Sequence, residues 1–231
     1  NDKFEWSFFK NKYKSRWLSL GIPYLTWITM AILINLVLLQ FAAYVIKDEP
    51  LDLYSTFQSK GWAHMYWDSE VWGLSRKNIL GWPSPSTGPY LIPFWYIGDL
   101  ICAVIFSPLI YLFIKRLKFW SVAIMFLCYA TGIWFITPGF STDAFFFFIF
   151  GSYFSINRKE FIEVFDRKNV WLPSIIICLL LFIPMIYFEA NNTATGRLIN
   201  PFYITTGVIT VFHLTSVLFE KGRVKVSDAL A

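Results

Sequence analysis

The chain has 231 residues, of which 56% are hydrophobic, 21% aromatic and only 15% charged. This composition is too apolar and too poor in charge for a soluble globular domain of that size, and it indicates a helical membrane protein. The net charge of +5 is not by itself a sign of nucleic-acid binding, because cytoplasmic loops of membrane proteins are rich in Lys and Arg. The three cysteines lie in apolar runs without a metal-ligand or redox spacing, so we expect them to be free.

Apolar runs of roughly the length that crosses a bilayer occur, in chain order, near residues 22–45, 91–114, 119–136, 170–188 and 199–219. A sixth run, 144–156, is short, since it reaches only about 20 Å at a rise of 1.5 Å per residue. Counting it as a span places fifteen of the twenty Lys and Arg residues on one side of the membrane, whereas leaving it out destroys this asymmetry.

The sequence therefore predicts an all-α transmembrane bundle of six spans with both termini in the cytoplasm. We expect one transmembrane domain over residues 1–231, located in the cell membrane. Between the first two spans lies a long external loop, 46–90, which is rich in Trp and Tyr and long enough to fold as a cap. Aromatic side chains in such a loop can stack on sugar rings, but they also occupy membrane interfaces for amphipathic reasons.

One carboxylate, Asp99, falls well inside a predicted span. Intramembrane acids are costly, usually face a bundle interior or a wet cavity, and are candidates for function. Trp95 lies four residues earlier, on the same helical face, so the pair is predicted to line a polar notch that opens outward. Pro93 and Pro108 bracket the pair and are expected to bend the helix. The alternative is that Asp99 only pairs with a polar group on a neighbouring helix.

Four segments, taken in order, resemble the acyltransferase 3 family of integral membrane enzymes. They are "FFKNKYKSRWLSLGIPYLTW" (8–27), "FWYIGDL" followed by "SPLIYLFIKR" (94–116), "FFFFIFGSYFSINRK" (145–159) and "VSDALA" (226–231). The resemblance implies transfer of an acyl group, with acetyl as the expected one, from cytoplasmic acyl-CoA to a hydroxyl of a cell-surface saccharide. It implies a His acting as general base or transient acyl carrier, with acetyl-CoA or another acyl-CoA as co-substrate and no bound cofactor.

Two departures from the family pattern stand out. Gly98 occupies a position where many members have Arg. The hallmark Arg and the catalytic His of the family lie on a helix that would precede Asn1, so the resemblance leaves the catalytic residues of this chain unknown. On this basis we expect the chain to be a fragment that lacks helices at both ends and is inert by itself.

The remaining polar residues supply candidates for the acyl-CoA site. The cations Lys12, Lys14 and Arg16 precede the first span, and clustered cations bind phosphates. Their alternative role is to orient the chain or to meet anionic lipid. Lys115 and Arg116 are weaker candidates for the same task.

Of the two histidines, His213 lies within the last span and is expected to hydrogen-bond a neighbouring helix. His64 lies in the external loop, where a surface or packing role is expected, and the residue spacing shows no metal site. A rival function is a secondary transporter or flippase that uses Asp99 as an ion or proton site. A membrane scaffold without chemistry is the third possibility.

Overall fold

The computed structural model describes residues 6–46, 61–68, 74–77, 83–86, 88–135, 137–190 and 194–220. Their elements follow one another as α1 (Trp6–Arg16), a π-helical turn (Trp17–Gly21), α2 (Ile22–Ile46), α3 (Trp62–Trp67), β1 (Leu74–Lys77), β2 (Pro83–Ser86), a 3₁₀ turn (Ile92–Phe94), α4 (Trp95–Ile105), α5 (Ser107–Leu117), α6 (Phe119–Thr131), α7 (Thr142–Ile156), α8 (Phe161–Phe165), α9 (Lys168–Ala190) and α10 (Ala194–Glu220).

The described chain is helical, as predicted, with a small hairpin in addition. Three helical segments are long and apolar enough to cross a membrane, namely Lys10–Leu38, Lys168–Phe188 and Thr195–Leu218. The first is longer than the predicted run at 22–45, because α1 and the π-helical turn continue directly into α2. Helices α6 and α7 are apolar but shorter, so the count of six spans and the orientation of the termini stay predictions.

The predicted span at 91–114 is broken into two helices. Helices α4 and α5 meet at an angle of 67°, and the break lies at Phe106, two residues before Pro108. Proline fits the first turn of a helix but cannot continue one without losing a hydrogen bond, so Pro108 lies in the first turn of α5 rather than extending α4. If the bent pair counts as one span, the described residues contain four candidate spans.

The described part of the loop at 46–90 is folded. Strands β1 and β2 pair antiparallel, with Leu74 opposite Ser86. Helix α3 packs inward, because Met65 is buried and its carbonyl accepts a hydrogen bond of 2.8 Å from the backbone N–H of Tyr90. The Tyr24 hydroxyl on α2 donates to the carbonyl of Tyr66 at 2.5 Å. The aromatic residues Trp72 and Trp82 lie outside the described residues.

The chain divides into two compact units. The first spans 1–77, 81–113 and 134–148, and its buried apolar cluster joins α2 to α3 through Tyr24, Ile28, Ile32 and Met65. The second spans 78–80, 114–133 and 149–231. In it α9 packs along α10 and α6 packs on α10.

Phenylalanine rings pack together in the core of the second unit, toward one end of α10. Phe165 of α8 stacks on Phe150 at a centroid separation of 6.0 Å, and Phe212 of α10 meets Phe161 edge to face at 5.1 Å. Such aromatic pairs add about 0.5–1.5 kcal/mol each beyond the area they bury. They fix the short segment before α9 against α10.

Gly139 allows a direct test of how α3 packs in the first unit. Its φ is +84°, and a Cβ there would overlap the ring of Trp67 and lie 3.0 Å from the sulfur of Cys102. We expect Gly139→Ala to lower the free energy of unfolding by about 2 kcal/mol or more, because strained backbone and overpacking each cost on the order of 1–3 kcal/mol. The measurement is thermal unfolding in mild detergent.

The matched control is Gly151→Ala. Gly151 lies within α7, and nothing approaches its added Cβ within 4 Å, so this change should be neutral or stabilising by about 0.5–1 kcal/mol. Equal thermal shifts in the two variants would contradict the packing of Trp67 over Gly139.

Candidate functional site

Asp99 lies in the middle of α4 and is buried, with 3% of its surface exposed. The side chain therefore does not face lipid tails. The Ser141 hydroxyl donates a hydrogen bond to Oδ2 of Asp99, and the backbone N–H of Ser141 approaches Oδ1 at 3.5 Å. Within the described residues the donors to this carboxylate are neutral, so a buried charge would be met by hydrogen bonds rather than by an ion pair.

Ser141 holds Asp99 at the start of α7. The Ser141 carbonyl accepts the backbone N–H of Phe145 at 3.2 Å, and its hydroxyl lies 3.4 Å from the backbone N–H of Ala144. This is the position of a residue that caps a helix N-terminus, where unpaired N–H groups and the helix dipole favour negative charge. The placement explains how a carboxylate is tolerated inside an apolar segment.

Helix α2, with α3 attached to it, packs against α4 at Gly98, the residue before Asp99. A Cβ on Gly98 would lie 3.3 Å from the Tyr24 hydroxyl, so that hydroxyl packs directly against the backbone beside Asp99. Thr29 and Tyr66 share a hydroxyl hydrogen bond of 2.8 Å. Together with the bond from Tyr24 to the Tyr66 carbonyl, this contact ties α3 to the helix that packs beside Gly98.

Trp95 begins α4 and is 40% exposed. Its ring meets Tyr96 edge to face at a centroid separation of 6.0 Å, and its Cβ lies 3.4 Å from where a Cβ on Gly88 would be. Trp95 and Asp99 thus share a helix but differ in burial. Their joint role in a substrate pathway stays a prediction.

The candidate acyl-CoA residues Lys12, Lys14 and Arg16 are exposed on α1. Arg16 lines a cavity of about 360 Å³ together with Tyr13, Trp17, Leu20, Gly21, Ile101, Val104 and Ile105. The Tyr13 hydroxyl donates to the Ile105 carbonyl at 3.0 Å and so joins α1 to the end of α4. One cation at an apolar cavity suits a ligand with an anionic part and an apolar arm. Lys12 and Lys14 are not among the lining residues.

A second polar cluster, in the second unit, is built around His213 of α10. Its Nδ1 lies 2.8 Å from Oδ1 of Asp166, and the Ser216 hydroxyl donates to Oδ2 of the same carboxylate at 2.7 Å. The imidazole stacks on Trp171 at a centroid separation of 4.6 Å. The Ser216 hydroxyl and then the His213 ring hold the pKa of the Asp166 carboxyl below its usual range, because hydrogen bonds to the ionised form favour it.

Sequence reasoning missed two of the residues that complete these clusters. Ser141 carries a local signal, since a Ser-Thr-Asp run before an apolar helix is typical of an N-cap. Asp166 carries a weaker one, as an acid within the basic segment 157–169. His64 is exposed, as expected, and all three cysteines are free. No group of metal-ligating side chains occurs among the residues that the structure describes.

These features define a helical membrane protein with a buried carboxylate within the first helix of a bent pair. Residues 2–230 match the acyltransferase 3 family, described as an acyltransferase domain. The chain belongs to this family, which confirms the resemblance drawn from its motifs and makes the protein a membrane acyltransferase. Neither the curated proteins nor the solved structures contain a match.

Removing the Ser141 hydroxyl tests the Asp99 cluster. We expect Ser141→Ala to lower the free energy of unfolding by about 1–3 kcal/mol, because it leaves a buried carboxylate short of a donor and takes a cap from α7. Ser141→Thr keeps a hydroxyl and should recover most of the loss. The measurement is unfolding in detergent, followed by helical circular dichroism.

Ser174→Ala is the matched control. Ser174 is buried, whereas Ser141 is half-buried. The Ser174 hydroxyl bonds to the Val170 carbonyl of its own helix at 2.8 Å, so its loss should cost less than about 1 kcal/mol. If Ser141→Ala and Ser174→Ala destabilise the protein equally, the hydrogen bonds from Ser141 to Asp99 do not stabilise the buried carboxylate.

Proposed function

We propose that this protein moves an acyl group, most simply acetyl, from cytoplasmic acyl-CoA to a hydroxyl of a cell-surface saccharide. The observation that carries the proposal is the buried Asp99 carboxylate, held by Ser141 within the first helix of a broken pair. Family membership supplies the reaction class. The acyl group, the acceptor and the donor are part of the proposal, as is a location in the cell membrane.

The donor side of the proposed site lies at α1. Lys12, Lys14 and Arg16 would bind the phosphates of acyl-CoA, since clustered cations attract phosphate and Arg can bind it through two parallel hydrogen bonds. The cavity beside Arg16 would receive the uncharged arm of the same ligand. Its wall includes Ile101, two residues after Asp99, so the cavity extends toward the level of the buried carboxylate.

The transfer side lies on α4. In the proposal Asp99 and Trp95 line the path along which the acyl group meets its acceptor. A carboxylate accepts hydrogen bonds from hydroxyl groups, so Asp99 can orient an incoming hydroxyl once the Ser141 donor shifts or shares its oxygen. Among the described residues the donors to Asp99 belong to Ser141, and a hydrogen bond in an interior of low dielectric is electrostatically stronger than one in water.

The acceptor side would draw on the loop at 46–90, whose aromatic residues are candidates for stacking on a saccharide. Of these, Tyr66 is bonded to Tyr24 and Thr29, and Trp67 packs over Gly139. These two residues therefore anchor α3, and a sugar platform would use other aromatic residues of the loop.

A transporter or flippase is the second candidate, because a carboxylate near a helix break also occurs in ion-coupled transporters. One experiment distinguishes the two functions. Membranes that contain the full-length gene product are supplied with labelled acetyl-CoA and surface saccharide, and label is counted in the saccharide. Transfer of label supports the enzyme, whereas proton-coupled export from liposomes without transfer supports the transporter.

Asp99→Asn is the first site test. The amide keeps the size of the side chain but carries no charge and no longer accepts hydrogen bonds at both atoms. We expect the rate of acyl transfer to fall by about 100-fold, the scale of the loss when a substrate is misplaced, while the protein still extracts as a folded species. Glu163→Gln, at an exposed acid in the first turn of α8, is the control and should keep most of the activity. A wild-type rate of acyl transfer in Asp99→Asn would show that Asp99 is not part of the site.

Arg16→Gln tests the donor site. It removes the cation that lines the cavity, so we expect KM for acyl-CoA to rise about tenfold, the loss of roughly 1.4 kcal/mol of binding, with kcat little changed. Lys12→Gln and Lys14→Gln should each raise KM less. Lys159→Gln serves as control, because Lys159 donates to the Tyr153 hydroxyl at 3.1 Å in the second unit. A fall in kcat without a rise in KM would count against phosphate binding at Arg16.

A further inference from the structure

The cavity beside Arg16 lies between the π-helical turn that precedes α2 and the second half of α4. Its wall includes Gly21, the last residue of that turn, together with Ile101 and Val104 of α4. The Trp17 ring lies directly over Gly21, since a Cβ added there would overlap the ring. π-helical turns occur frequently at functional sites, and this one gives the cavity an apolar wall next to its cation.

One helical turn further along both walls, the two helices close on each other. Tyr24 follows Gly21 by three residues, and Gly98 precedes Ile101 by three, which is about one turn of each helix. A Cβ on Gly98 would lie 3.3 Å from the Tyr24 hydroxyl, less than the usual van der Waals separation, so there is no room for a further methyl group. Gly98 is also the neighbour of Asp99. An acyl chain that extends from the cavity to the level of the buried carboxylate therefore meets Tyr24.

Two contacts hold the Tyr24 side chain in this position, where it is buried. Its hydroxyl donates to the Tyr66 carbonyl at 2.5 Å, and its ring packs against Phe94 at a centroid separation of 6.2 Å. Turning the side chain away would give up both the hydrogen bond and the ring contact, and a polar group that loses its partner in the interior is costly. Tyr24 therefore forms a fixed inner limit of the cavity rather than a side chain that swings aside.

We propose that Tyr24 limits the size of the acyl group that the protein accepts, so that acetyl fits and longer chains are rejected. The inference rests on the proposed function, in which acyl-CoA occupies the cavity beside Arg16 with its acyl group directed toward the level of Asp99. A longer chain would have to enter the space that Tyr24 fills against Gly98, and overpacking of this kind is costly in a close-packed interior. Apolar sites discriminate by roughly 10–200-fold per methylene. Tyr24 is thus a specificity-determining residue.

The test is the ratio of kcat/KM for butanoyl-CoA to kcat/KM for acetyl-CoA, measured in membranes that contain the full-length gene product. Each variant supplies both values, so the ratio does not depend on how much of the variant is folded. Tyr24→Ala removes the ring and should raise the ratio at least about tenfold. Tyr24→Phe keeps the ring and vacates only the space of the hydroxyl, so we expect a rise of about threefold. This conservative variant decides the outcome if Tyr24→Ala extracts poorly.

Ile28→Ala is the matched control. Ile28 is fully buried in the same apolar cluster as Tyr24, one turn further along α2 and away from Gly21, so the change loosens the same packing without opening the cavity. The ratio should keep its wild-type value. An equal rise in Ile28→Ala, an unchanged ratio in the Tyr24 variants, or a wild-type protein that uses both donors equally well would overturn the role of Tyr24 while leaving the proposed function in place. A wild-type protein that transfers from neither donor would overturn the proposed function itself and the inference with it.

Discussion

The burial of one carboxylate constrains the whole first unit. A charge in an apolar segment costs several kcal/mol unless it is met by donors, and Asp99 is met by Ser141 at the beginning of α7. This requirement brings the turn before α7 to the middle of α4. The turn contains Gly139, whose left-handed backbone accepts the close approach of Trp67 from α3. One polar contact thereby links three segments that are distant in the sequence.

Much of the helical architecture follows from local signals. Apolar runs locate α2, α9 and α10, and Pro108 locates the break between α4 and α5, because both features act within a few residues. The burial of Asp99 was also predictable, since an acid in an apolar run faces polar groups or water. The length of the first helical segment was not predictable from hydropathy. The residues of α1 are polar, so they do not form an apolar run even though they are helical.

The partners of the polar residues depend on tertiary contacts that no local pattern encodes. Ser141 is 42 positions from Asp99, and Asp166 is 47 positions from His213. The loop at 46–90 is a similar case. Its aromatic content indicates an interface or a sugar surface equally well, whereas Tyr66 and Met65 face the core of the first unit. Composition identifies the residue types, but only the fold decides which way they face.

Gly98 shows how this chain differs from the family pattern at its candidate site. The family resemblance drawn from the sequence implies an Arg at this position in many members, where a cation would stand one residue from the acid. In this protein the space beside Gly98 is occupied by the Tyr24 hydroxyl, 3.3 Å from where a Cβ would be, and that hydroxyl donates to the Tyr66 carbonyl. A long side chain at residue 98 would have to displace Tyr24 and release α3. The small residue at 98 leaves room for Tyr24, which holds α3 through Tyr66. With a glycine at this position, Asp99 relies on the neutral donors of Ser141.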